Sequence, residues 1–133
     1  MSQPLRLILK KITLTPKSDG KQHILIWLSA REEIYVGEAI VSEDEDDLLA
    51  GIVEATLQAI NKALTKPVTL KLVHCRQIFL AEIASIIFLV VIRVEAENDT
   101  KLLPGISLFG RFTAEVAAKA ALKALNRTIT QYF

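Results

Sequence analysis

The chain repeats itself, and that limits its fold more than any other feature. Residues 54–62 read EATLQAINK and residues 119–127 read KAALKALNR, an offset of 65 residues. Ala55 matches Ala120, Leu57 matches Leu122, Ala59 matches Ala124 and Asn61 matches Asn126, while Ile60/Leu125 and Lys62/Arg127 are similar pairs. The preceding segments also correspond, Gly37-Glu38-Ala39-Ile40-Val41 with Gly105-Ile106-Ser107-Leu108-Phe109. Each copy is too small to bury a sheet face alone, so the halves 1–66 and 67–133 are expected to pack together as one domain.

Within each copy the hydrophobic period changes from two to between three and four. Residues 5–15 alternate, with Leu5, Leu7 and Leu9 on one face and Arg6 and Lys10 on the other, followed by Ile12 and Leu14. PKSDGK at 16–21 is turn chemistry. Strands are expected at 23–29 and 34–41. From Leu49 through Ile52, Val53, Thr56, Leu57 and Ile60 to Leu64 the spacing is helical, predicting a helix over about 46–64 that Lys66-Pro67 ends. The second copy predicts a strand from 68 to 74, extended or bulged at 77–81, and a long apolar strand at 84–96. A strand at 102–109 broken by Pro104-Gly105 follows, the break suggesting an edge or a bulge, then a helix over about 112–129. The fold class is α+β, a tandem βββα repeat with two helices packed on an antiparallel-rich sheet.

The last helix also declares its faces. Arg111, Glu115, Lys119, Lys123 and Arg127 recur every four residues as a solvated stripe with a Glu115–Lys119 pair. Ala114, Ala117, Ala118, Ala120, Ala121 and Ala124 occupy most of the rest, where small side chains let a helix approach a sheet closely.

Composition excludes several functions. Sixteen basic and fifteen acidic residues leave a net charge of +1, which gives no electrostatic case for nucleic acid. A single cysteine, Cys75, rules out an internal disulfide and suits a reducing compartment, so a cytoplasmic location is expected. No signal peptide is visible, and the apolar run at 83–92 is about half a bilayer span, so it reads as a buried strand rather than a membrane segment. Mean hydropathy of +0.35 is high for a small domain, which points to apolar surface at a subunit interface.

The residues capable of chemistry are few. His74 and Cys75 are neighbours on a strand and point to opposite faces, so they form no Cys–His pair, and His23 would have to arrive from another strand. No cysteines or histidines have zinc spacing, and the five glycines form no phosphate loop. The acidic run Ser42-Glu43-Asp44-Glu45-Asp46-Asp47 reads as a helix start; it lacks the glycine and ligand spacing of a calcium loop. Trp27 sits mid-strand and is expected in the core. No catalytic residue, metal ligand or cofactor is assigned.

The pattern resembles the C-terminal regulatory domain of 2-isopropylmalate synthase and its relatives, often called the allosteric dimer domain. The resemblance is carried by the alanine-rich stretch from Ala117 to Arg127, ending Ala-Leu-Asn-Arg, and by Gly37-Glu38-Ala39 before the first helix. It covers nearly the whole chain, and free-standing bacterial proteins of this shape are also similar. The resemblance implies a tandem of three strands and a helix, self-association as a homodimer and a regulatory role. Where that family has a glycine-rich connection that helps form a leucine pocket, this chain has the acidic run at 42–47, which would repel a carboxylate, so amino-acid feedback binding is not carried over. The catalytic barrel of the synthase has no counterpart here.

These readings converge on a non-catalytic regulatory or assembly module that self-associates and takes a small-molecule effector. The competing readings are a small enzyme whose site forms at a dimer interface from His23, His74 or a carboxylate, and a double-stranded-RNA-type binder, which the near-neutral charge disfavours.

Overall fold

The computed structural model describes residues 6–66, 68–108 and 113–126. Leu5, Pro67, Phe109, Arg111 and Arg127, and the expected helix ends at Phe112 and Ile129, lie outside the described residues.

The first copy comprises β1 (Ile8–Pro16), β2 (Lys21–Ala30), β3 (Glu33–Ser42) and α1 (Glu45–Ala63). The second comprises β4 (Thr69–Leu80), β5 (Ser85–Ala96), β6 (Asp99–Leu108) and α2 (Thr113–Leu125), with a short 3-10 turn, Ala81–Ile83, between β4 and β5. The strands form two separate three-stranded antiparallel sheets, β1-β2-β3 and β4-β5-β6. This is the α+β, repeated βββα architecture of the sequence, with each copy keeping its own sheet.

The apolar parity of each first strand changes partway, and the structure shows why. Leu9 pairs with Leu28, then the register shifts and Ile12 and Leu14 pair with Ile26 and Ile24. A β-bulge at Lys10 absorbs one residue and returns the aliphatics to the same face. The shift recurs in β4 between Leu72 and His74, so duplication extends to the bulges. Between β2 and β3 the two-residue turn Arg31-Glu32 has φ of 51° and 65°. That left-handed pair suits the twist of a tight hairpin, although neither residue is the usual glycine or asparagine.

Each helix covers its own sheet and also meets the other helix and the first strand of the other copy. One core results. Ile24, Ile26 and Leu28 of β2 and Phe88, Val90 and Ile92 of β5 join Ile52, Val53 and Ile60 of α1 and Leu122 and Leu125 of α2 in a single buried cluster. Burying each such aliphatic or aromatic side chain is worth about 1.5–3 kcal/mol. Ala117, Ala118, Ala120, Ala121 and Ala124 are all buried, whereas Lys119 and Lys123 are exposed. Lys119 Nζ meets Glu115 Oε1 at 2.6 Å, the pair expected from the spacing.

Glycine explains how closely helix and sheet approach. A Cβ on Gly37 would overlap the Ala55 carbonyl oxygen and crowd the Ala59 amide, and a Cβ on Gly105 would overlap the Ala120 carbonyl oxygen and crowd the Ala124 amide. The two glycines do the same work in the two copies, at matching helix positions. Pro104-Gly105 accordingly does not break β6, which runs through it as an edge strand with Val90 opposite Gly105.

The acidic run starts α1. Asp44 is its N-cap, its side chain accepting from the Asp47 amide at 3.4 Å, and Ser42 Oγ donates to Asp47 Oδ2 at 2.7 Å. Glu45, Asp46 and Asp47 occupy the first turn, where the helix dipole favours negative charge. No helix among the described residues is long and apolar enough to cross a membrane.

Candidate functional site

With the helices covering one face of each sheet, strand register fixes what the other face presents. Directly opposed residues of an antiparallel pair share a face. On the first sheet the outer face carries Ile8, Lys11, Thr13 and Thr15 from β1, His23, Leu25, Trp27 and Ser29 from β2, and Ile34, Val36, Glu38 and Ile40 from β3. On the second it carries His74, Arg76 and Ile78 from β4, Ile87, Leu89, Val91 and Arg93 from β5, and Leu102, Pro104, Ile106 and Leu108 from β6.

These faces are strongly apolar for surface. Ile34 and Ile40 are each 52% exposed, and Leu102, Ile106 and Leu108 are 57%, 49% and 57% exposed. Trp27, expected in the core, is half-buried on the outer face with Lys11 Nζ 5.2 Å from its ring centroid, a cation–π distance. The even positions of β2 turn inward and Trp27 is odd. Because 23–29 is apolar on both faces, its parity could not be read from the sequence.

The titratable groups fall apart rather than together. His23 is on the outer face of the first sheet and His74 on that of the second, and Cys75 turns inward, half-buried, opposite Val90. Burial pushes the Cys75 thiol up, and the Asp46 and Glu54 carboxylates add to this, so it is a weak nucleophile at neutral pH. His23 finds a partner that the sequence reading missed: its Nε2 lies 2.9 Å from Glu38 Oε2. The hydrogen bond to His23 holds the Glu38 carboxyl below the usual range. The signal was present, since a two-residue turn fixes the β2–β3 register and makes 23 and 38 diagonal neighbours on one face. Among the described residues no group of three or more His, Cys, Asp or Glu is placed to hold a metal ion.

Two open clefts lie where each helix meets the first strand of the other copy. One, of about 400 Å³, is lined by Leu9, Ile12 and Leu14 of β1 with Ala114 and Glu115 of α2. The other, also about 400 Å³, is lined by Glu54, Leu57, Gln58 and Asn61 of α1 with Leu70 and Leu72 of β4.

The chain matches no protein-family model and no curated protein.

Proposed function

We propose that this protein is a cytoplasmic, non-catalytic regulatory or assembly module that pairs with a second copy of itself through its outer sheet surface. The observation that carries the reading is the group of exposed aliphatics on the outer faces, above all Leu102, Ile106 and Leu108 on one strand. Contiguous apolar surface of this kind on a small domain marks an interaction site. The resemblance to the allosteric dimer domain of the 2-isopropylmalate synthase family favours the same reading. The scatter of His23, His74 and Cys75 over separate sheets and faces supports a non-catalytic role. A small effector would sit in the clefts between the copies, which mix aliphatic walls with the polar groups of Glu54, Gln58 and Asn61. Native mass spectrometry of gently purified protein tests this. A two-copy species is expected, with added mass if an effector is retained; a bare single copy at every concentration removes the reading.

A further inference from the structure

The duplication makes two helix–strand seams, α2 along β1 and α1 along β4, and they are closed differently. The bulges match Leu9 with Leu72, so Leu7 matches Leu70, and the helix repeat matches Asn126 with Asn61. In the α2–β1 seam Asn126 spans the gap. Its Oδ1 accepts from the Leu7 amide at 3.2 Å and its Nδ2 donates to the Leu7 carbonyl at 3.5 Å. One carboxamide thus holds both main-chain groups of a single residue at the entry to a strand.

In the α1–β4 seam the same two positions stand apart. Asn61 is exposed, and it lines the open cleft of about 400 Å³ together with Leu70. Among the described residues no bond joins the Asn61 carboxamide to Leu70. The seam is fastened at the start of α1, where Gln77 Nε2 donates to Glu45 Oε1 at 3.1 Å, and open towards the end of the helix. β4 is an edge strand, and the matched register turns the Leu70 main chain toward the cleft as that of Leu7 turns toward Asn126. Gln58 gives its Oε1 to the Glu38 amide, which leaves its amide hydrogens as donors. Glu54 and Lys71 line the cleft with opposite charges, so it favours neither an anion nor a cation. The α2–β1 cleft has no carboxamide; its one carboxylate, Glu115, is engaged by Lys119.

We infer that the α1–β4 cleft takes a short peptide in extended conformation, its main chain lying between the Asn61 carboxamide and the edge of β4. This rests on the effector reading above and names the class of effector. The second copy supplies the pattern: the carboxamide at this helix position recognises the N–H and C=O of one residue. Leu70 offers the same two groups from the other side, so an extended main chain satisfies both walls as an added strand does. Leu57 and Leu72 receive an aliphatic side chain from it.

The probe is acetyl-alanyl-valyl-alanine N-methylamide, which has no terminal charges, followed by nitrogen–proton NMR of the folded protein. Shifts are expected at the Leu70 amide and at the side-chain amides of Gln58 and Asn61, with a dissociation constant of about 1 mM or below. Asn61→Ala should keep the wild-type Tm and weaken binding about tenfold. Asn126→Ala should do the reverse, lowering Tm and leaving the peptide affinity unchanged. The same peptide methylated on its main-chain nitrogens should not bind. Equal binding of that methylated peptide, or wild-type affinity in Asn61→Ala, overturns main-chain recognition. So does a Leu70 amide that is protected from exchange without peptide and released in Asn61→Ala, since the seam would then close on itself. No shift with the peptide at about 10 mM, in a protein whose native mass carries another small molecule, overturns the peptide class and leaves the effector reading standing. No shift and no added mass removes both.

Discussion

Gly37 and Gly105 are where a single methyl group should cost most. At either position the new Cβ lands on a helix carbonyl oxygen, Ala55 or Ala120, with the amide of Ala59 or Ala124 beside it. Backbone cannot rotate aside as a side chain can, so the helix must lift from its sheet and loosen the core contacts along its length. Overpacking of this kind costs about 1–3 kcal/mol and sometimes more, against a gain of about 0.5–1 kcal/mol from replacing a strand glycine. Because the overlap is with backbone oxygen at both positions, the cost lies at the top of that range or above it, and the expected net loss for Gly37→Ala or Gly105→Ala is about 2 kcal/mol or more, a fall in Tm of about 6 °C or more. Gly51→Ala is the control. Its Cβ would meet the Val41 methyls and Ile24 Cδ1, side-chain atoms rather than backbone, and it gains about 1 kcal/mol of helix propensity, so its loss should be smaller than that of either strand glycine. Urea denaturation of the three variants reads this directly. Adding Ala120→Gly to Gly105→Ala should not rescue stability, because the overlap is with a carbonyl and not a methyl. Wild-type stability of Gly105→Ala, or a Gly51→Ala loss exceeding the other two, would refute the close-approach argument.

Three further outcomes are expected. Ala120→Glu or Ala121→Glu should unfold the protein or cost several kcal/mol by burying a charge, whereas Lys119→Glu or Lys123→Glu should change stability by about 1 kcal/mol or less; thermal denaturation distinguishes them, and equal tolerance would overturn the helix-face assignment. Asp44→Ala removes the N-cap of α1 and should cost about 1 kcal/mol in urea denaturation. Glu38, whose carboxyl is held low by His23, should titrate below an ordinary glutamate by carboxyl NMR and move upward in His23→Ala. Because its folded value is depressed, whatever stability the contact gives is present above the ordinary glutamate range and fades as pH falls through the folded value, a fading that His23→Ala should abolish.

What was legible in the sequence was what periodicity and duplication encode. The matching helix segments at 54–62 and 119–127 fixed the repeat, and the four-residue charge stripe fixed the outward face of α2 at Glu115, Lys119 and Lys123. The acidic run was legible as a helix start because carboxylates suit exposed N–H groups. Relations between strands were harder. The step from Leu9 to Ile12 was visible as a broken alternation, but only register identifies it as a bulge. Pro104-Gly105 was expected to break its strand and to mark an edge or a bulge; β6 is indeed an edge strand, but it is not broken. The strand continues because the proline faces an open edge and the glycine admits the helix, both properties of neighbours distant in sequence. Trp27 was misplaced because a strand apolar on both faces has no parity to read, and such strands arise when the outer face is apolar too. The bonds from the Glu38 amide to Gln58 Oε1 and from Lys62 Nζ to the Val36 carbonyl, which tie α1 to β3, depend on helix-to-strand geometry that no local pattern records.

Sedimentation equilibrium of the wild-type protein over a wide concentration range tests self-association most directly. The account predicts convergence on twice the 14.8 kDa chain mass as concentration rises. A single-chain mass that persists into the millimolar range would contradict it.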